Sequence, residues 1–141
     1  MTATNVAKLI VDYANQQNKP ITNLHLQKIL YFTWIDYYIA NNEHLFEDNF
    51  EAWRLGPVVR IVYNQYSIYG ASDIPSSGDN GKSAVNLSPE LRRIVDNYLG
   101  LSASSLVNKS HIKHGAWETI FDGGNGDKSV IPFDIIEKKC R

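Results

Sequence analysis

Cysteine is almost absent from this 141-residue sequence, whose one copy is Cys140. A single thiol cannot form an intrachain disulfide, and a chain without disulfides is typical of a reducing compartment. No run approaches the roughly 20 apolar residues that span a bilayer. Residues 1–5 also lack the basic segment and apolar run that begin a secretory signal. These absences predict a cytoplasmic protein without a membrane partner.

A basic excess is missing as well. The chain has 14 Lys and Arg against 15 Asp and Glu, which leaves a formal net charge of −1. Proteins that bind DNA or RNA usually have a clear basic excess, because neutralising phosphates supplies most of their non-specific affinity. The longest basic run, residues 138–141, belongs to the tail. Nucleic acid is therefore an unfavoured partner.

The sequence does contain enough apolar material for a folded core. Apolar residues make up 43% of the chain and charged residues 21%, which is ordinary globular composition. A chain of this length buries about two-thirds of the surface that it exposes when unfolded. We predict one domain over residues 1–141, a mainly α-helical bundle around a central helix with a small β-hairpin element.

Residues 24–40 are predicted to form the central helix, with Thr22 or Asn23 as its N-cap. Apolar and aromatic side chains occupy most of its circumference, which is typical of a helix surrounded by others. Gln27 falls on the apolar side, and we expect it to bond a loop backbone or a Tyr hydroxyl, since an unpaired buried amide costs about 1–3 kcal/mol. Four residues are predicted to form a narrow polar strip along this helix: His25, Lys28, Thr33 and Asp36.

Shorter elements are predicted around this helix. Residues 50–55 read as a strand, and Gly56-Pro57 is expected to break it and to begin a helix with Pro at the first position, although the following valines also fit a strand. The segment 75–87, rich in Ser, Gly, Asp and Asn, is predicted to be an exposed loop. Other helices are predicted after N-caps at Thr4, Ser88 and Ser102, and over residues 116–121 and 132–138.

No metal, cofactor or catalytic site is predicted. His111 and His114 are three residues apart, but no other Cys or His pair completes a zinc site. The turn 122–127 lacks the calcium-loop pattern, and the triplet 81–83 (Gly-Lys-Ser) lacks the earlier glycine of a phosphate loop. Ser110 precedes His111 without an orienting third group.

Three segments of the chain together resemble one protein family, the Panacea domain family of SocA-like and GepA-like proteins from bacteria and their prophages. The segments are residues 26–31 (LQKILY), 51–59 (EAWRLGPVV) and 110–117 (SHIKHGAW). Each alone would be weak, but their order and spacing are specific. Ile112, His114 and the Arg54-Leu55 pair are small departures from the family pattern. The motif residues are Leu26, Gln27, Leu30, Gly56, Pro57, Val58, His111 and Trp117.

The resemblance implies a compact, mainly α-helical domain with a small β element, and an antitoxin encoded beside a small toxin. The expected partner is the cognate toxin protein. A protease or chaperone would join if neutralisation works by degradation or by holding the toxin unfolded, rather than by covering its active surface. The alternatives are a nucleic-acid-associated regulator of its own operon and a small enzyme with an unrecognised site. We expect the motif to mark the fold more than the toxin contact.

Trp, Tyr and Arg side chains anchor protein interfaces when they are partly exposed. We expect the toxin contact in an apolar groove beside the central helix, rimmed by Lys28, Arg54 and Arg60. We also expect Trp53 to lie near the central helix and His111 to hydrogen-bond Gln27 or Lys28. The predicted partner-binding residues are Lys28, Tyr31, Trp53, Arg54, Arg60 and Tyr63.

Overall fold

The computed structural model describes residues 1–77 and 86–140, and within them the protein is mainly α-helical, as predicted. Most of the predicted 75–87 loop, with the 81–83 triplet, lies outside the described residues. No described helix is both long and apolar enough to cross a membrane. The elements are α1 (Ala3–Gln16), α2 (Asn23–Asn41), β1 (Phe50–Trp53), β2 (Gly56–Val58), α3 (Arg60–Tyr66), α4 (Pro89–Leu99), α5 (Ala103–Ser110), α6 (Ala116–Phe121), β3 (Ser129–Ile131) and α7 (Phe133–Lys139).

The helix α2 is central, as predicted. The Thr22 hydroxyl accepts a hydrogen bond from the backbone N–H of His25 and so caps its start. The helix α2 contacts α1, α3, α4, α5, α7 and β2. Its first half is enclosed, whereas residues 35–41 become progressively exposed. The predicted polar strip is wrong in part, because Lys28 and Thr33 are both fully buried.

The region around Gly56-Pro57 corrects one prediction. These residues do not begin a helix; with Val58 they form β2, which pairs antiparallel with β1, and α3 begins only at Arg60. The sheet order is β2-β1-β3, so β2 is an edge strand, where the missing N–H of a proline costs no ladder bond. The strand was the alternative that the valines after Pro57 also fit, and it is the conformation that the structure contains.

The helix boundaries mostly agree with the capping signals. The Ser88 and Ser102 hydroxyls accept backbone N–H bonds at the starts of α4 and α5, as predicted. The first helix is capped by Thr2 rather than Thr4, because Thr2 is the residue with extended backbone whose hydroxyl accepts the N–H of Asn5. A short 3-10 turn, Ser67–Tyr69, continues α3 and ends at Gly70.

Candidate functional site

Four polar side chains, three from α2 and one from α6, hold the main chain of residues 53–63, which we call the hairpin–α3 segment. On the α2 side, Gln27 Oε1 accepts the N–H of Val59 at 2.9 Å, and Gln27 Nε2 donates to Asn23 Oδ1 at 3.0 Å. Asn23 Nδ2 in turn donates to the carbonyl of Tyr63 at 3.0 Å. The prediction that Gln27 is buried and bonds a loop backbone is confirmed.

Lys28 and Trp117 complete this set of bonds. Lys28 Nζ donates to the carbonyl of Pro57 at 2.8 Å, and Trp117 Nε1 donates to the carbonyl of Trp53 at 2.7 Å. Of these five bonds, the four that reach the hairpin–α3 segment end on main-chain atoms, at residues 53, 57, 59 and 63, and the fifth joins Gln27 to Asn23. These bonds therefore do not involve the exposed side chains at positions 54, 55 and 63.

Lys28 is a fully buried amine. Burial lowers the pKa of Lys28 to about 7, because a charged ammonium loses its hydration in the interior. It lies in the core rather than on the rim of a groove, so the predicted rim position is wrong. Within the described residues its one hydrogen bond goes to the carbonyl of Pro57, and the side chain has no exposed surface from which to meet a substrate.

His111 does not make the predicted hydrogen bond to Gln27 or Lys28. Its ring instead stacks on Trp117, with centroids 3.7 Å apart and planes 6° from parallel. Within the described residues its Nε2 is buried without a hydrogen-bond partner. Burial, and then the charge of Lys28, lower the pKa of His111, which favours a neutral ring.

A concave surface, which we call the Trp53 groove, lies between the start of α2, the turn of the hairpin and α3. Its volume is about 570 Å³. Leu55 and Tyr63 are partly exposed in its wall, at 46% and 37%, and the Trp53 ring lies 4.9 Å from that of Tyr63. The described lining residues are Thr22, Asn23, Leu24, Gln27, Trp53, Arg54, Leu55, Val58, Tyr63, Ser67, Gly70 and Ala71.

The charges beside the Trp53 groove are mostly positive. The guanidinium of Arg60 lies over the Trp53 ring at 5.3 Å and binds Glu51 through two bonds of 2.7 and 3.0 Å. Lys128 Nζ lies 5.4 Å from the centre of the same ring. Burial opposes the ionisation of Glu51, but Arg60, Trp53 and Lys128 outweigh it and lower the pKa of this carboxyl.

The predicted partner-binding residues divide into two groups. Trp53, Arg54 and Tyr63 line the groove, and Arg60 packs against it through Trp53. Tyr31 is only 5% exposed and packs edge-to-face on Phe50 in the core. Lys28 is likewise interior. The motif residues Leu26 and Leu30 are fully buried, and Val58 is 4% exposed.

Two contributors to this region escaped the sequence-based prediction. The sequence predicts Asn23 only as a possible helix cap, whereas its side chain accepts a hydrogen bond from Gln27 and donates one to the carbonyl of Tyr63 in α3. Lys128 lies far along the chain and reaches Trp53 because its backbone N–H bonds the carbonyl of Ala52, next to the β1–β3 pairing. No local pattern marks either role.

The described residues contain no group of three or more His, Cys, Asp or Glu that could hold a metal ion. His111 and His114 do not share a helix face, because α5 ends at Ser110 and His114 lies beyond it in a left-handed conformation, with φ of 64°. Ser110 Oγ donates to the carbonyl of Val107 at 2.7 Å.

Comparisons with known proteins agree on one family. Residues 26–118 match the family model described as antitoxin SocA-like, Panacea domain. Antitoxin SocA of Caulobacter vibrioides (strain NA1000 / CB15N) is 32% identical over 130 residues, which covers 84% of this chain and 69% of that protein. No solved structure matches. The chain belongs to the SocA-like, Panacea-domain antitoxin family.

Proposed function

We propose that this protein binds and neutralises a cognate protein toxin, and that the Trp53 groove is the toxin contact. The observation that carries the proposal is the clustering of Trp53, Arg54 and Tyr63 around one concave surface. These are the residue types that dominate binding energy at protein interfaces. The similarity to a protein named an antitoxin supplies the function class.

A binding role rather than a catalytic one is supported by how the buried polar groups are used. The side chains of Gln27, Lys28 and Trp117 are bonded to main-chain atoms of the hairpin–α3 segment. Catalytic acids and nucleophiles instead need to reach a bound substrate within hydrogen-bonding distance. A standard protein interface covers about 800 Å² per partner, so the proposed contact would extend from the groove onto the adjoining exposed residues of α3.

The test is to express the reading frames on either side of this gene, one at a time, from an inducible promoter in a bacterial host. We expect one of them to stop growth when expressed alone and to be tolerated when this chain is co-expressed. The two proteins should then copurify through a tag on either one. Harmless neighbours on both sides, or a toxic neighbour whose effect this chain does not relieve, would contradict the proposal.

A further inference from the structure

We infer that the Trp53 groove receives a toxin segment in which an acidic side chain stands beside an apolar one, with Arg54 binding the carboxylate. This inference rests on the proposed antitoxin function and names the chemistry of its partner. The apolar side chain would pack among Trp53, Leu55 and Tyr63.

The charge of the groove is the first argument. Among its described lining residues there is one cation, Arg54, and no acidic residue. Within the described part of the chain, Arg54 is exposed and makes no hydrogen bond or ion pair, whereas the neighbouring Arg60 is already bonded to Glu51. A guanidinium presents a fork of donors that matches a carboxylate. Arg54 is therefore the available partner for an incoming acid.

The second argument is that Arg54 is not the only positive charge beside the groove. Lys128 and Arg60 both lie over the Trp53 ring, and Glu51 offsets only one of these two charges. An acidic segment approaching this face meets a favourable potential, although the whole chain carries a formal charge of −1. Complementary charge of this kind raises association rates and disfavours wrong partners.

The third argument is that the groove wall is already in place before a partner arrives. The main chain of the hairpin–α3 segment is fixed at Trp53, Pro57, Val59 and Tyr63 by side chains from α2 and α6. Fixing a binding surface in advance removes part of the ordering cost of association. Since the fixing bonds end on backbone atoms, the exposed side chains at positions 54, 55 and 63 can set specificity without disturbing the wall.

The first experiment uses Arg54→Glu in the growth assay and in a binding titration with the purified toxin identified there. We expect at least about a tenfold weaker Kd, since reversal replaces a charge-assisted bond with repulsion. The matched control is Arg93→Glu, an exposed arginine of α4 outside the groove lining. This control should keep both growth rescue and Kd within about twofold.

The second experiment does not depend on how Arg54→Glu folds. The photo-crosslinker p-benzoylphenylalanine replaces Leu55 in an otherwise unchanged chain, and the crosslinked toxin peptide is identified by mass spectrometry. We expect a peptide with Asp or Glu next to an apolar residue. Replacing that acid by Lys in the toxin should restore binding to Arg54→Glu and weaken binding to the wild-type chain.

The outcomes separate the two proposals. If the wild-type chain relieves no neighbouring toxin, the antitoxin proposal fails and this inference fails with it. If the wild-type chain relieves toxicity and Arg54→Glu does so equally well, the inference alone is wrong. A crosslinked peptide without an acidic residue, or the absence of any toxin crosslink from position 55, also overturns it.

Discussion

Gly56 occupies a position where both its backbone and its surroundings exclude a side chain. Its φ is +113°, and a Cβ built there would lie 2.7 Å from Ser110 Oγ and 2.8 Å from Lys28 Cε. Both contacts are shorter than normal van der Waals separations. The glycine thus lets β2 approach α2 and α5 closely enough for Lys28 to reach the carbonyl of Pro57.

Replacing Gly56 by Ala should therefore lower the free energy of unfolding by about 2 kcal/mol or more, through backbone strain and overpacking together. Urea denaturation monitored by tryptophan fluorescence measures this change. Gly100→Ala is the matched control, because its φ of −80° suits any residue and no atom lies within 4 Å of its added Cβ. Equal effects of the two substitutions would show that the close approach at Gly56 is unimportant.

Lys28 gives a prediction about pH. The pKa of Lys28 is about 7 in the folded protein against 10.5 for a lysine side chain in water, so between these pH values the unfolded state binds more protons. The free energy of unfolding should then increase as the pH rises from about 7 toward 9. The full cost of burying the charge is present only well below pH 7, and it is relieved as the buried amine loses its proton.

Lys28→Met retains the volume of the side chain without its charge, so it should remove this increase and be more stable than the wild type near pH 6. Denaturant titrations at pH 6, 7, 8 and 9 measure the trend. The exposed Lys113 offers the control, since Lys113→Met should leave the pH dependence intact. A wild-type protein whose stability is flat over this range would contradict a depressed lysine pKa.

At the scale of elements, Gln27 joins α2 to the start of α3. Removing its side chain leaves the buried N–H of Val59 without its acceptor and frees Asn23 from one bond. Gln27→Ala should cost about 2 kcal/mol, from an unsatisfied buried donor and a small cavity. It should also speed hydrogen exchange at the Val59 amide, which two-dimensional NMR detects.

Gln65 provides the comparison for this substitution, because it is exposed on α3. Gln65→Ala should change the free energy of unfolding by no more than about 0.5 kcal/mol. A loss below that value for Gln27→Ala would mean that water replaces the missing side chain, and that α2 does not depend on this bond to hold α3.

The elements α2 and β2 show which parts of the fold the sequence predicts and which it does not. The helix α2 was predictable because apolar residues cover most of its circumference over five turns, a pattern that few other structures share. The strand β2 was not, since Gly-Pro suits both the start of a helix and an edge strand. In the structure, Lys28 and Gln27 bond the backbone of Pro57 and Val59. Both side chains come from another part of the chain, so the local sequence does not reveal these bonds.

The sequence predicts some of the residues that line the groove, but not all of the residues that form it. Residue type alone pointed to Trp53, Arg54 and Tyr63, because these side chains commonly anchor interfaces. Periodicity, however, assigns a residue to a helix face without saying whether that face is covered, so Lys28 was wrongly placed on the rim. The spacing of motif residues likewise could not distinguish a hydrogen bond at His111 from the stack on Trp117 that the structure contains.

Across the whole molecule, the residues that hold the fold and those proposed to meet the toxin are different sets. The first set is buried and bonds backbone atoms; the second is exposed on the hairpin–α3 segment. A second concave surface, of about 250 Å³ and bordered by Ile39 and Ile112, lies against the other half of α2. This second surface is the alternative to the proposed toxin contact in the Trp53 groove, and exposed side chains on each surface allow the two to be tested separately.

A triple variant with Arg54, Leu55 and Tyr63 each replaced by Ser should lose neutralisation while its free energy of unfolding falls by no more than about 2 kcal/mol, because substitutions of exposed residues usually cost little. Circular dichroism and urea denaturation establish that it is folded; the growth assay reports neutralisation. The matched triple variant replaces Ile39, Ile112 and Arg93, all exposed, by Ser. It should neutralise normally. The reverse result would assign the toxin to the surface beside Ile39 and Ile112, because a folded chain with an intact Trp53 groove would then be inactive.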